Sequence, residues 1–207
     1  EDHEGNIWVS TREGLYKYNP NNKSVEEFLH DEHNKDTISE NNIFSIYYSE
    51  KKLWIGTKTG GLNVMNLEDN SIKVYDPNSI PSNFIRDILI DRNGYMWLAT
   101  DQGLALFDQQ YDKFYTFKNN LGKYSICDDN TISLYEDKLG VIWVGTFNGV
   151  SKFLPNKDFK VYRNNSSDSN SLSSSSVCGI YEDSEGMLWV GTFNAGINKI
   201  NKANDEV

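Results

Sequence analysis

The stretch GMLWVGTFNAGI, at residues 186–197, is the last of five related copies along the chain. The earlier copies are GNIWVSTREGL at 5–15, KLWIGTKTGGL at 52–62, GYMWLATDQGL at 94–104 and GVIWVGTFNGV at 140–150. Together they contain all five tryptophans, which follow one another at steps of 46, 43, 46 and 46 residues. This regular period indicates an array of repeats, each of which folds as one supersecondary unit.

Each complete repeat is predicted to form four short β-strands. In the last copy we expect the first three strands at residues 177–181, 187–192 and 196–200, and the preceding copy places a fourth strand at 159–162. Leu188 and Val190 point to one face of the strand and Trp189 points to the other, as the two-residue period of a strand requires. The pattern therefore favours strands throughout and shows no helical period.

Two short turns join the first three strands of a repeat. In the first turn, an Asp that caps backbone amides is followed three residues later by a Gly that tolerates positive φ, which is a hairpin signal. The pairs are Asp2 and Gly5, Asp91 and Gly94, Asp137 and Gly140, and Asp183 and Gly186. The second copy has SEKK at 49–52 instead, so we expect a turn there that is tighter or differently built. The second turn carries a Gly in every copy, at Gly14, Gly60 with Gly61, Gly103, Gly149 and Gly196.

A small residue stands two positions after every tryptophan. These residues are Ser10, Gly56, Ala99, Gly145 and Gly191. A large ring and a nearly absent side chain on one strand face predict that neighbouring sheets approach closely there, with the indole filling the space between them.

Four antiparallel strands repeated in this way predict an all-β fold of the β-propeller type, built of four-stranded antiparallel blades. First strands are expected to line a channel, and each blade is expected to pack face to face on the next. We assign residues 1–207 to one propeller segment of five consecutive blades, of which the first lacks its first strand and the last lacks its fourth. The approximate blades are 1–28 (partial), 43–75, 85–117, 131–162 and 177–200 (partial).

Polar connections lead from one blade to the next, at residues 29–42, 76–84, 118–130 and 163–176. The last is rich in Asn and Ser and resembles a flexible linker in composition. It also fits a loop that leads into the next sheet, because Leu172-Ser173 matches the pairs at Ile38-Ser39, Ile80-Pro81 and Ile126-Cys127.

The formal net charge of −10 repels nucleic acid and anionic membrane surfaces, so neither is expected as a partner of this segment. No cofactor motif and no metal site is expected, because the three histidines, His3, His30 and His33, lack ligand spacing and fit solvated surface. Cys127 and Cys178 occupy different phases of the repeat, which excludes a repeated framework and leaves one disulfide between them open.

We expect no catalytic residue in this segment. The pairs Glu136-Asp137 and Glu182-Asp183 could be paired catalytic carboxylates, but their recurrence favours turn capping. A sialidase would also need clustered arginines, whereas the four arginines are scattered at Arg12, Arg86, Arg92 and Arg163.

A ligand site, by contrast, is expected where the repeats differ. The loops between second and third strands should emerge on one face, and their variable residues are the predicted ligand-binding positions. These are Arg12, Lys58, Asp101, Gln102, Phe147, Asn148, Phe193 and Asn194. Aromatic rings beside amides suit sugars, since a ring stacks on the apolar face of a pyranose while polar groups bind the hydroxyls. The alternative is that Phe147 and Phe193 only pack between blades.

The motifs IPSNFIRDI at 80–88 and DRNGYMWLATDQGL at 91–104 resemble the two-component regulator propeller repeat, and the resemblance extends over the five copies. It implies the periplasmic sensor region of a hybrid histidine kinase of the Bacteroidetes type, which responds to oligosaccharides by a rearrangement of domains. The kinase itself is not in this segment.

The resemblance also implies roughly seven blades, so we expect a segment of a larger propeller. Its unpaired edge strand predicts either self-association, most simply as a dimer, or marginal stability. The alternatives are a propeller enzyme acting on a glycan or an antibiotic, as a lyase or hydrolase, and a scaffold for protein partners.

Overall fold

The computed structural model describes residues 1–75, 78–108, 111–120, 125–153 and 159–207. The secondary structure described in these ranges is β-strand joined by turns, as the repeat predicted. The chain divides into two compact units, Glu1–Ile88 and Leu89–Val207, and the boundary falls inside one strand, Ile85–Ile90.

The first unit contains two antiparallel sheets, which we call blades 1 and 2. Blade 1 has three strands in the order β1-β2-β3, and blade 2 has four in the order β4-β5-β6-β7. The strands are β1 (Ile7–Ser10), β2 (Leu15–Tyr18), β3 (Val25–Phe28), β4 (Ile43–Ser49), β5 (Lys52–Thr57), β6 (Leu62–Asn66) and β7 (Ile72–Val74). Blade 1 thus has no strand in front of β1, as predicted.

Blades 3, 4 and 5 make up the remaining sheets, in the orders β11-β10-β9-β8, β12-β13-β14-β15 and β16-β17-β18. Their strands are β8 (Ile85–Ile90), β9 (Met96–Thr100), β10 (Gly103–Asp108), β11 (Lys113–Phe117), β12 (Thr131–Glu136), β13 (Ile142–Thr146), β14 (Gly149–Phe153), β15 (Phe159–Tyr162), β16 (Val177–Glu182), β17 (Leu188–Thr192) and β18 (Ile197–Ile200). Blade 5 has three strands, so the prediction of two incomplete terminal blades is confirmed. Among the described residues, no helix is long and apolar enough to cross a membrane.

The first turn of a blade is organised around its Asp. In blade 4, the Oδ1 atom of Asp137 accepts the backbone N–H groups of Leu139 and Val141 at 2.9 and 3.0 Å. Gly140 has φ of +81°, which an L side chain rarely adopts, so glycine is required there. Blades 1, 3 and 5 repeat these bonds around Asp2, Asp91 and Asp183. The predicted capping role of these aspartates is therefore confirmed.

Blade 2 builds the corresponding turn differently. Ser49 pairs with Lys52, and the two residues between them, Glu50 and Lys51, have φ of 50° and 61°. Two consecutive left-handed residues form the tight hairpin turn whose twist matches that of the flanking strands. The predicted tighter turn is therefore confirmed.

The tryptophan of one blade packs against the next blade within each unit. In the second unit, Trp143 is fully buried in a cluster with Leu188 and Val190 of blade 5. Trp97 of blade 3 lies in a cluster with Leu134 and Val144 of blade 4. In the first unit, Trp8 of blade 1 clusters with Ile43, Leu53, Ile55 and Met65 of blade 2. The indoles thus fill the space between sheets, as predicted.

Gly145 shows how closely blades 4 and 5 approach each other. A Cβ atom at this position would lie 2.4 Å from the Ser133 hydroxyl oxygen and 2.8 Å from Cγ1 of Val177. Both distances are shorter than real Cβ contacts, so a methyl group would push β13 away from β16. Small residues two positions after the tryptophan therefore allow the blades to meet.

We expect Gly145→Ala to destabilise the protein by about 1–3 kcal/mol, because overpacking forces neighbouring side chains and backbone to shift. Chemical denaturation measures the loss. Gly179→Ala is the matched control, since nothing lies within 4 Å of a Cβ added there. Equal losses in the two variants would contradict the close approach of the blades.

The connection at 163–176 is a structured loop. Asn164 donates its side-chain amide to the carbonyl of Leu172 at 2.6 Å, and Ser171 donates its hydroxyl to the carbonyl of Asp168 at 2.7 Å. Leu172 is fully buried in the core between blades 4 and 5. The interpretation as a loop that leads into the next sheet is therefore the correct one.

The two cysteines are both free thiols. Cys127 is buried, where the hydroxyl of Ser151 donates to its Sγ at 3.1 Å, whereas Cys178 is exposed. Burial raises the pKa of the Cys127 thiol. The disulfide that the sequence left open is thus absent.

Candidate functional site

The loops between the second and third strands of a full blade share one construction, and we call them the rim loops. In blade 1, which lacks the first strand, the rim loop lies between β1 and β2. The rim loops comprise residues 11–14, 57–61, 100–103, 146–149 and 192–196. In each, a Thr at the end of the second strand donates its hydroxyl to the carbonyl of the loop Gly. The donors are Thr11, Thr57, Thr100, Thr146 and Thr192, with oxygen–oxygen distances of 2.6–3.0 Å. These bonds, together with positive φ at the Gly, hold the loops in one conformation.

The rim loops are also fixed to the segment in front of their own first strand. The backbone N–H of Phe147 donates to the carbonyl of Asn130 at 3.2 Å, and that of Phe193 donates to the carbonyl of Ser176 at 3.0 Å. Lys58 makes the same bond to Asn42 at 3.0 Å. Side chains at this position therefore project from a rigid backbone.

Phe147 and Phe193 come together on the second unit. Their rings stack with centroids 5.8 Å apart and planes inclined by 27°. Phe147 remains 45% exposed and Phe193 59% exposed, so much of each ring faces water. We call these two residues the aromatic pair. An exposed, preorganised aromatic surface is the arrangement that the sugar hypothesis requires.

The other predicted positions lie on the same type of loop but differ in setting. Asn148 and Asn194 follow the two phenylalanines and are exposed. On blade 3, Asp101 is half-buried and Gln102 is exposed. Arg12 and Lys58 are exposed on rim loops of the first unit, whereas the aromatic pair belongs to the second unit.

One residue near the aromatic pair was missed by the sequence reasoning. Arg163, the first residue after β15, donates from Nε to the carbonyl of Asn148 at 3.1 Å. Its Nη2 donates to the carbonyl of Cys127 at 2.8 Å. The repeat could have pointed to Arg163, because a basic residue, Lys118, also directly follows the fourth strand of blade 3.

The recurring glutamates at the ends of the first strands of blades 4 and 5 serve the scaffold. Glu136 accepts the backbone N–H of Arg92 at 3.0 Å and its side chain at 2.5 Å. Glu182 accepts the backbone N–H of Lys138 at 2.8 Å. Each Glu therefore holds the first turn of the preceding blade, which is a structural role.

Each capping Asp also accepts a hydrogen bond from the indole of its own blade, which the sequence reasoning missed. The pairs are Trp8 with Asp2 at 2.8 Å, Trp97 with Asp91 at 2.9 Å, Trp143 with Asp137 at 3.0 Å, and Trp189 with Asp183 at 2.7 Å. The six-residue spacing in Asp-x-x-Gly-x-x-Trp is thus a structural motif, which explains why both residues recur together.

The described parts of the chain hold no group of three or more His, Cys, Asp or Glu side chains that could hold a metal ion. His3, His30 and His33 are all exposed. The rim loops present aromatic rings, amides and charged side chains.

Comparison with protein families gives one match, described as the two component regulator propeller, at residues 79–102, 125–148 and 171–194. Each matched segment begins one residue before a buried Ile or Leu, passes through the first two strands and ends in a rim loop. The segments of blades 3, 4 and 5 thus end at Gln102, Asn148 and Asn194. Comparison with curated protein sequences gave no match.

Solved structures with this fold include the extracellular domain assigned to a hybrid two component system of B. thetaiotaomicron. It is 20% identical, with a TM-score of 0.69, over 95% of this chain and 32% of that chain. PorZ, a surface component of the type-IX secretion system of Porphyromonas gingivalis, has a TM-score of 0.72 at 15% identity, over 95% of this chain and 31% of that one. Virginiamycin B lyase from Staphylococcus aureus has a TM-score of 0.55 at 17% identity, over 77% of this chain and 55% of that one. The chain spans about a third of the first two proteins, and the likeness establishes the propeller fold.

Proposed function

Three segments of this chain match the two component regulator propeller, and from that premise we propose that the chain is an extracytoplasmic sensor segment that binds a carbohydrate at the rim loops of its second unit. The aromatic pair is the observation that carries the proposal, because two stacked rings remain exposed on loops whose backbone is fixed. A pyranose ring can stack on the outward face of such a pair.

The amides beside the aromatic pair supply the polar half of the site. Asn148 and Asn194 each carry a carbonyl acceptor and an NH₂ donor, which match the mixed donor and acceptor character of sugar hydroxyls. Their positions after Phe147 and Phe193 place both kinds of group on the same loops. Small-ligand sites commonly combine apolar surface with a few polar groups that fix orientation.

The signalling step that we propose is a population shift. A saccharide that binds one arrangement of the propeller region more tightly than another moves the equilibrium toward that arrangement. We place the segment in the periplasm as part of a hybrid histidine kinase that acts as a dimer. The extracellular domains with the same fold support an extracytoplasmic place, and a non-catalytic regulator suits the family better than an enzyme.

An array of neutral and acidic oligosaccharides, followed by calorimetric titration of the best binder, tests the proposal. We expect Phe147→Ala together with Phe193→Ala to weaken binding by about tenfold or more, since both stacking faces are lost. Tyr95→Ala is the matched control, because Tyr95 is 49% exposed and precedes β9 at the opposite end of the second strand.

If no oligosaccharide on the array binds, the proposal of a carbohydrate sensor is overturned. Binding that survives removal of both rings would move the site away from the aromatic pair. Loss of binding in Tyr95→Ala as well would show that the effect is not specific to the rim.

A further inference from the structure

Two basic side chains occupy the same repeat position on consecutive blades of the second unit. Lys118 directly follows β11 of blade 3, and Arg163 directly follows β15 of blade 4. Both are exposed. The whole chain is strongly acidic, with a net charge of −10, so a repeated basic position is unusual in it.

The stems of both side chains lie over the glycine of a rim loop. A Cβ atom at Gly149 would lie 2.8 Å from Cγ of Arg163, and one at Gly103 would lie 3.4 Å from Cγ of Lys118. Because glycine has no side chain, the aliphatic part of each basic side chain can lie directly over the backbone of the rim loop. This shared geometry indicates that the two cations occupy equivalent places on their blades.

Arg163 is held in a fixed orientation without being neutralised. Its guanidinium donates to the carbonyls of Asn148 and Cys127 at 3.1 and 2.8 Å, which uses only part of its set of five N–H donors. Among the described residues, no carboxylate oxygen lies within 4.0 Å of a side-chain nitrogen of Arg163 or Lys118. The positive charges are thus available to a ligand.

Nearby acidic side chains are engaged with backbone. Asp129 accepts the N–H of Asn119 at 2.5 Å, and Asp128 accepts the N–H of Asn130 at 2.7 Å. These carboxylates reduce the positive potential at the rim, but their hydrogen bonds fix them on the segment directly in front of β12. The guanidinium keeps its free N–H groups.

The contact between Arg163 and Asn148 joins the cation to the carbohydrate site, because Asn148 directly follows Phe147 of the aromatic pair. Resting on the proposed function, we propose that this rim site selects acidic saccharides. Arg163 and Lys118 bind the carboxylate or sulfate groups, while the aromatic pair stacks on the sugar ring. A planar guanidinium binds such oxyanions through two parallel hydrogen bonds.

The test compares matched probes that differ only in charge. Tetragalacturonic acid is paired with its methyl ester, and a neutral galactan tetrasaccharide is paired with its sulfated form. We expect the acidic member of at least one pair to bind about tenfold more tightly or better, and to weaken as salt is raised. Arg163→Gln with Lys118→Gln should remove that preference. Lys113→Gln is the charge control, since Lys113 is exposed at the far end of β11.

The outcomes separate this inference from the proposed function. Equal binding of the charged and neutral members, unchanged in the double variant, would leave the carbohydrate sensor standing and overturn the preference for acidic sugars. Equal loss of both members in the double variant would assign Arg163 a structural role and also overturn it. Absence of binding to every probe and every array sugar would overturn both.

Discussion

Trp143→Ala is expected to lower the free energy of unfolding by about 3–5 kcal/mol, as for other large aromatic side chains truncated in a core. The indole is fully buried between blades 4 and 5, where it contacts Tyr162 with ring centroids 5.8 Å apart. Its loss leaves a cavity that two rigid sheets cannot close, and it leaves Asp137 without an indole donor. Chemical denaturation followed by circular dichroism measures the change.

Trp189→Ala is the matched control for this variant. Trp189 has the same place in the repeat and the same hydrogen bond to its Asp, but it is 37% exposed. We therefore expect a clearly smaller loss, of about 1–2 kcal/mol, from the reduced burial. If Trp143→Ala does not fold, Trp143→Phe gives the comparison with a smaller cavity. Equal losses at the two positions would contradict the packing of each tryptophan on the following blade.

Asp137→Ala is expected to cost about 2–4 kcal/mol, because several donors lose one buried acceptor. The Asp137 side chain is 1% exposed. It accepts the N–H groups of Leu139 and Val141, the indole of Trp143, and the ammonium of Lys202 at 3.1 Å. Asp183→Ala, which removes the corresponding half-buried cap of blade 5, should cost less. Losses of the same size would contradict the role of burial in this motif.

The same variant should change how stability depends on pH. Burial opposes ionisation of Asp137, but the hydrogen bonds from Trp143, Val141 and Lys202 outweigh it and hold its pKa below the ordinary 3.8. A carboxylate with a lowered folded pKa stabilises the protein above the unfolded pKa, and that stability is lost as pH falls through the folded pKa. The melting temperature should therefore fall between about pH 5 and pH 3, and fall less in Asp137→Ala. If the melting temperature falls equally with pH in Asp137→Ala and in the unaltered protein, this assignment is contradicted.

The fold was predictable because the same pattern of strands and turns occurs five times in the sequence. Residues 159–162 were predicted as a strand by comparison between repeats, and they are observed as β15, paired with β14. The third strand of blade 5 was predicted to start at Gly196, but it starts at Ile197. Gly196 has φ of 78° and belongs to the loop, where its carbonyl accepts the Thr192 hydroxyl.

The candidate site was predictable only in part, because repeat differences mark variable loops without showing which side chains meet. The sequence singled out Phe147 and Phe193, and only the structure showed that they stack. Arg163 lies 15 residues after Asn148 along the chain, so their contact depends on the pairing of β14 with β15. The Asp–Trp hydrogen bonds were missed because a turn cap alone already explained the Asp.

Hydrogen exchange with and without the tightest-binding saccharide tests most directly whether the motif builds the scaffold while the rim binds. We predict slower exchange in residues 146–149 and 192–196, where rings and backbone meet the ligand. The first turns at 137–141 and 183–187 should exchange at unchanged rates, since their amides are held by Asp side chains in either state. Protection confined to the first turns, with none at the rim loops, would contradict the account.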